Sequence, residues 1–145
     1  MAQMIPDQQG RLVVTVVPNP GVGLDWAYAV PAQTRWRLRS VQATLTTSIV
    51  AGNRLPELAF AIGGNELLRI SASQIQLASL AFITGWMEGE RALAIVGQTS
   101  RVSSLPRGYL LNAGAQIAVF TVALNVGDQW SDIVIVSEEW IEPLV

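Results

Sequence analysis

The chain has 145 residues, a formal net charge of −2, and no histidine or cysteine. All nine of its basic residues are arginine. These absences remove the imidazole base, the thiol nucleophile, the amine used in covalent catalysis and the commonest metal ligands. The near-neutral charge also lacks the basic footprint of a nucleic-acid-binding protein. We therefore expect a protein that is not an enzyme, uses no cofactor or metal and binds no nucleic acid.

Half of the residues are hydrophobic and only 14% are charged, against about 25% charged residues in ordinary soluble domains. A chain of this length corresponds to one domain. Because no run of about 18 uninterrupted apolar residues occurs, we expect no transmembrane helix and no membrane partner. A monomer of this size cannot easily cover so much apolar surface. We therefore expect a homo-oligomer or a subunit of a larger assembly.

Short apolar or alternating runs, separated by Gly, Pro, Asn and Asp, predict an all-β protein. In the first half of the chain the candidate strands are Arg11–Val17, Leu24–Val30, Thr34–Ile49, Leu58–Ile62 and Leu67–Ile70. The last two flank Gly63-Gly64-Asn65, which indicates a hairpin. Within the longest run the apolar positions change parity between Trp36 and Val41. That change predicts a β-bulge or bend at Ser40.

The second half of the chain continues the same pattern. Residues Ser71–Leu77 fit either a loop or a single helical turn, and Gly97–Ser104 is polar and predicted to be a loop. The candidate strands are Ala78–Trp86, Ala92–Val96, Tyr109–Leu111, Gln116–Leu124 and Ile133–Val136. The last of these is continuously apolar, as expected for a central strand that is covered on both faces. The pattern predicts an antiparallel β-sandwich with about 8–10 strands.

The two ends of the chain differ in character from this domain. Residues 1–10 are polar and unpatterned, which predicts a flexible N-terminal tail. They lack a basic region followed by an apolar core, so we expect no secretion signal and synthesis in a cytoplasm. Residues 11–145 are predicted to form a single β-sandwich domain. Its last residues mix acids with apolar side chains around Trp140 and Ile141 and are predicted to form a C-terminal arm.

Three arginines, Arg35, Arg37 and Arg39, alternate along the longest predicted strand. Alternate positions lie on one face, so these side chains form either a stripe for partner or phosphate contact or a solvated polar face. The solvated face is the simpler interpretation, because a half-buried strand produces one by default. The stripe remains a candidate partner contact.

Five tryptophans lie in five different segments of the chain. Trp26 and Trp36 lie in alternating strands and are expected in the core. Trp130 and Trp140 lie near strand ends beside carboxylates, where a core position and a partner surface are equally compatible with the pattern. We therefore keep Trp130, Trp140 and the neighbouring Ile141 as partner-interface candidates.

The remaining polar groups do not form a recognisable reactive site. The carboxylates have no nucleophile–base partner in the sequence, so no catalytic residue is assigned. The run Asn125–Asp132 carries several oxygen side chains that could suit calcium, but it lacks the spacing of a calcium loop. Turn formation explains its Asn, Gly and Asp residues without a metal.

Three segments carry a resemblance to a known family. They are Val30–Leu38, then Ser40–Thr47 followed by Gly52-Asn53-Arg54, and finally Gly127–Asp132 leading to Glu138-Glu139-Trp140. Their strand and turn texture, over about residues 11–142, resembles the small all-β virion proteins of tailed bacteriophages that decorate or cement capsids. The resemblance implies a jelly-roll-like β-sandwich without catalysis, often trimeric, that sits on capsomer junctions.

The sequence thus leads to one expected function and one alternative. The expected function is a virion structural protein that bridges capsid subunits as a homo-oligomer, with a trimer favoured. Its partner would be the major capsid protein or another virion protein, and its location the capsid surface rather than the tail. The alternative is a tail-associated or fibre-tip module that binds carbohydrate or a receptor through exposed tryptophans.

Overall fold

The computed structural model describes residues 10–89 and 100–142. Within these ranges the chain forms ten β-strands and no helix, so no helix there could cross a membrane. The strands are β1 (Arg11–Val17), β2 (Ala27–Ala29), β3 (Thr34–Thr46), β4 (Leu55–Ile62), β5 (Asn65–Ser71), β6 (Ala81–Glu88), β7 (Ser100–Leu105), β8 (Leu110–Asn112), β9 (Gln116–Val122) and β10 (Gln129–Ile141).

The strands form two sheets that pack face to face. The larger sheet has the order β1-β10-β3-β6-β7, with β8 paired to the first part of β3, and the smaller sheet has the order β2-β9-β4-β5. If β7 and β8 are set aside, β1-β10-β3-β6 faces β2-β9-β4-β5, which is the eight-strand arrangement of a jelly roll. The predicted β-sandwich of jelly-roll type is therefore confirmed. Among the described strands one pair departs from the antiparallel rule, because β6 and β7 are parallel.

The two longest strands, β3 and β10, lie side by side in the larger sheet. Their register shifts where Leu38 pairs with Ser137 and Ser40 pairs with Val136, which leaves Arg39 as an extra residue. This bulge confirms the predicted parity change to within one residue. It lets β3 bury apolar side chains on both sides of the bulge while it turns its three arginines outward.

The hydrophobic core fills the space between the two sheets. Trp36, Trp86 and Trp130 are its largest members, and each is less than 2% exposed. Trp36 stacks on Tyr28 of the smaller sheet, with ring centroids 5.7 Å apart. Such aromatic contacts across the sandwich stabilise the packing of one sheet on the other.

Some predicted boundaries were wrong. The run predicted to end at Ile49 ends as β3 at Thr46, because the Thr47 hydroxyl donates to the carbonyl of Leu77, 2.6 Å away, and begins a loop. Part of the predicted loop Gly97–Ser104 is strand β7, whose alternate residues are buried. The strand predicted at Ile133–Val136 is too short, because these residues lie at the centre of β10, which has 13 residues.

Of the remaining predicted segments, the structure decides the one after Ser71 and does not describe Ala92–Val96. The segment after Ser71 is a loop and not a helical turn, and Gln76 forms an isolated bridge to Arg54. The predicted strand Ala92–Val96 lies outside the described residues, as do the N-terminal tail up to residue 9 and the last three residues.

Candidate functional site

The arginine stripe of β3 lies between acidic side chains from the neighbouring strands. Arg37 donates two hydrogen bonds to Glu88 of β6, at 3.0 and 2.5 Å, and lies 3.8 Å from Glu138 of β10. Arg39 lies 3.9 Å from Glu88 and 3.8 Å from Glu138. The hydrogen bond from Arg37 lowers the pKa of Glu88, and the bond to Glu88 raises the pKa of Arg37. The positive charge of the stripe is therefore balanced within the chain.

The same balance extends to the end of the sheet. Arg35 pairs with Glu142 at 2.5 Å. Beside it, Glu139 accepts the buried indole N–H of Trp36 at 2.8 Å and a guanidinium bond from Arg11 of β1 at 2.6 Å. The hydrogen bond from Trp36 is the main cause of the lowered pKa of Glu139. A free anion such as phosphate would have to compete with these carboxylates for the arginines.

Four of the five tryptophans are buried. Trp26 and Trp36 are in the core as predicted, and Trp86 joins them. Trp130 is also fully buried, and its indole N–H donates to Asp25 Oδ1 at 3.1 Å. Trp130 therefore cannot present a contact surface, because its ring is enclosed by the sandwich. Of the two positions that the sequence allows for Trp130, core and partner surface, the structure shows the core.

The C-terminal candidates are more accessible. Trp140 is half-buried, and its ring lies beside the backbone of Gly10. Ile141, the last residue of β10, is 66% exposed. Ile141 is thus accessible to a partner and Trp140 is partly accessible, whereas Trp130 is not.

A buried ion pair lies at the opposite end of the sandwich from Ile141. The guanidinium of Arg54 donates Nε to Asp128 Oδ2 at 2.9 Å and Nη2 to Asp128 Oδ1 at 3.1 Å. The side chains are only 1% and 0% exposed. Asp128 also accepts the backbone N–H groups of Ser48 and Asn125, both at 2.8 Å. Burial raises the pKa of Asp128, but these hydrogen bonds outweigh it and bring the pKa down from 3.8 to about 2.

This ion pair joins four loops. Asp128 follows β9, Arg54 precedes β4, and the backbone of Arg54 pairs with Gln76 between β5 and β6. Gly23, between β1 and β2, donates its N–H to the Asp128 carbonyl at 2.7 Å. Its positive φ of 76° and its close approach to Val126 leave no room for a Cβ atom. The four loops are thus fixed against each other.

The tips of these loops carry exposed aliphatic side chains, which we call the apolar end. Its members are Val22, Leu24, Ile49, Val50, Ile75, Leu77 and Val126. Two of them, Ile49 and Val126, are 88% and 85% exposed. Exposed apolar groups gathered at one place usually mark a contact with another molecule.

Charge is nearly absent from the apolar end. The loops 18–26, 47–54, 72–80 and 123–128 contain only three charged residues, Asp25, Arg54 and Asp128. Arg54 and Asp128 neutralise each other, and Asp25 accepts hydrogen bonds from Thr121 and Trp130. A surface depleted of charge and rich in aliphatic groups is typical of the centre of a protein–protein interface.

Small-ligand sites are less developed. Among residues 10–89 and 100–142, no group of three or more acidic, His or Cys side chains could hold a metal ion. Asp128, in the run considered for calcium, faces a guanidinium. A pocket of about 70 Å³ between β3, β6 and β7, lined partly by Gln42 and Met87, is well below the roughly 300–1,000 Å³ of ordinary ligand pockets.

No protein-family model matches this chain, and no curated protein matches it in sequence. Function is therefore inferred from the geometry. Sequence reasoning pointed to the arginine stripe and to Trp140 and Ile141, but it missed the apolar end. Trp140 and Ile141, predicted in a C-terminal arm, are the last residues of β10 and pair with β3. The members of the apolar end are scattered singly through four loops, and only the jelly-roll connections bring those loops to one end. The one available signal was the presence of aliphatic residues in turns, where polar residues are usual.

Proposed function

We propose that this protein is a non-enzymatic structural subunit of a virion, which decorates or cements a tailed-phage capsid by bridging capsid subunits. The apolar end is the surface that docks on the capsid. The observation that carries the proposal is this end itself, since it combines exposed aliphatic side chains with very few charges, two of which, Arg54 and Asp128, neutralise each other.

The rigidity of the apolar end supports a role in binding. Loops that are held in place before binding lose little conformational entropy on association, so more of the contact energy appears as affinity. The buried bidentate pair of Arg54 and Asp128 provides this preorganisation, because it connects the loops through side-chain and backbone hydrogen bonds.

The fold agrees with the proposal but does not carry it. Jelly rolls occur in viral capsid proteins and in lectins, among others, and the same fold hosts unrelated functions. The shared topology is therefore compatible with both functions expected from the sequence.

Bridging requires further contacts besides the apolar end. We place these contacts at the exposed Ile141 and the half-buried Trp140 of the opposite end, and at the arginine stripe with its carboxylates. They would meet neighbouring copies or a second capsid subunit. In this proposal the assembled form is a homo-oligomer, with a trimer favoured, located on the capsid surface and made in the host cytoplasm.

The alternative, a module that binds carbohydrate or a receptor through tryptophan rings, has no specific observation in its favour. Sugar stacking needs an exposed ring face, and four of the five tryptophans are buried. A glycan array tests it directly. Binding that is lost in Trp140→Ala would favour the alternative over capsid decoration.

The proposal is tested by co-sedimentation with phage heads that lack this protein. The double variant Ile49→Lys/Val126→Lys places two charges in the apolar end, and we expect its binding to fall at least tenfold. The matched control, Leu67→Lys/Leu110→Lys, changes two exposed leucines outside that end and should bind like the unmodified protein.

Two results would contradict the proposal. Absence of binding by the unmodified protein to the heads would remove the capsid role. Equal binding by the two double variants would remove the apolar end as the docking surface while leaving a capsid role intact.

A further inference from the structure

β1 is an edge strand with an exposed apolar face. It pairs with β10 over all seven residues without a register shift, and within the described residues nothing pairs with its other side. On its outer face Leu12, Val14 and Val16 are 66%, 62% and 72% exposed. A flat edge strand with free backbone groups and an apolar face readily pairs with another strand.

The other sheet edges have features that discourage such pairing. β2 and β8 have only three residues each. β5 carries Glu66 and Arg69, which form an ion pair with each other. β7 is rich in serine and contains Arg101. Short length and charged or polar side chains are the usual means by which proteins block edge pairing. Within the span Leu12–Val17, β1 has neither a charge, a proline, a glycine nor a bulge.

The apolar face continues from β1 onto its neighbour. Val136 lies directly opposite Val14, and Val134 lies opposite Val16. Directly opposed residues of an antiparallel pair project from the same face of the sheet, and both β10 valines are half-buried. The strip is therefore two strands wide along one edge of the sandwich.

We propose that the edge of β1 pairs with β1 of a second copy of this chain, antiparallel, about a two-fold axis through Val14. Val14 is the central residue of both the strand and the exposed apolar triplet. The axis places Val14 opposite Val14 of the partner subunit, and Leu12 opposite the partner's Val16. The two larger sheets then continue into one another across the axis.

The chemistry of β1 favours a second copy over an unrelated strand. Under this axis the three exposed aliphatic positions meet only each other, as an isologous interface requires. Arg11, the one charged residue of the strand, lies opposite the partner's Val17, so like charges do not meet. Backbone pairing of this kind supplies affinity through main-chain hydrogen bonds, and the alternate side chains set the register. The inference does not rest on the proposed function, because the trimer favoured there would need a different, three-fold contact.

Pairing of two seven-residue strands buries less area than the roughly 1,600 Å² of a standard interface. We therefore expect a dimer whose population rises with concentration, and light scattering over a concentration series should record it. Val14→Lys would place two ammonium groups together at the axis and should weaken dimerisation at least tenfold. Leu67→Lys, which changes a leucine that is 49% exposed on β5, should dimerise like the unmodified protein, with circular dichroism confirming that both variants fold.

Cysteine pairing tests the register, because the chain has no cysteine of its own. Opposed residues in an antiparallel pair have Cα atoms about 4.5–5.5 Å apart, within the roughly 4.4–6.8 Å span of a disulfide. Val14→Cys should thus form a disulfide dimer on mild oxidation. Leu12→Cys should not, since its symmetry mate is four residues away along the strand, about 13 Å. A mixture of Leu12→Cys and Val16→Cys should cross-link.

Several results would overturn the inference. A monomer at every concentration would do so. An oligomer would also do so if Val14→Lys leaves its mass unchanged and Val14→Cys does not cross-link it. A full chain that dimerises only after deletion of residues 2–9 would assign the edge to that segment instead of a second copy.

Discussion

The buried pair of Arg54 and Asp128 should dominate the stability of the loop end. The perturbation is Asp128→Asn, which keeps the size of the side chain but removes its charge and turns an amide N–H₂ toward the guanidinium. Removing one partner of a buried ion pair costs about 3–5 kcal/mol, because the other charge is left uncompensated. For a domain of this size that loss corresponds to a fall in Tm of roughly 10–16 °C.

The pKa of Asp128 gives a second estimate of the same effect. The lowering of this pKa from 3.8 to about 2 corresponds to about 2–3 kcal/mol of folding stability at neutral pH. A change of one in pKa is worth about 1.4 kcal/mol. A group whose pKa is lowered in the folded state stabilises the fold above its unfolded value and loses that contribution as the pH falls. The stability difference between the unmodified protein and Asp128→Asn should be constant above about pH 5 and shrink toward pH 2.

Thermal unfolding followed by circular dichroism from pH 7 to pH 2 measures both effects. The matched control is Glu66→Gln, which removes a carboxylate from the exposed pair with Arg69 and should leave Tm nearly unchanged. Arg54→Met should destabilise by a similar amount to Asp128→Asn, and the double variant by much less than the sum, because both changes break one network.

Two outcomes would refute this reasoning. An equal and small loss in Asp128→Asn and Glu66→Gln would mean that the pair is not effectively buried. A stability difference that stays constant down to pH 2 would mean that Asp128 is not held ionised by its hydrogen bonds.

Two further substitutions test the sheet face and the core by thermal unfolding. Glu88→Gln should cost about 1 kcal/mol of stability, a small amount because its partner Arg37 is partly exposed. This loss should shrink in high salt, because salt screens the ion pair. It should also shrink as the pH falls below 4.5, since the folded state lowers the pKa of Glu88 from that value. A salt-independent loss would contradict the ion-pair explanation. Trp130→Ala should cost about 3–5 kcal/mol through the cavity it leaves, whereas Ile49→Ala should change stability by no more than about 0.5 kcal/mol; similar values for the two would contradict the burial of Trp130.

The strands and the sandwich could be predicted from local patterns. A few neighbouring residues are enough to show the alternation along β3, its parity change near Ser40 and the small-residue turn at Gly63-Gly64. The bulge at Arg39 and the hairpin of β4 and β5 followed from them. The predicted loop over residues 97–104 was wrong where β7 forms, because Ser and Arg do not mark a strand. These residues form a strand because they pair in parallel with β6, a partner that their own sequence does not indicate.

Tertiary structure alone decided which side chains are available to a partner. Trp130 and Trp140 look alike in sequence, both near strand ends and beside carboxylates, yet the first is enclosed between the sheets and the second is only half-buried. The sequence by itself determined the absence of imidazole and thiol chemistry, since this is a matter of composition. The apolar end required the jelly-roll connections, which gather residues more than 100 positions apart around one buried ion pair.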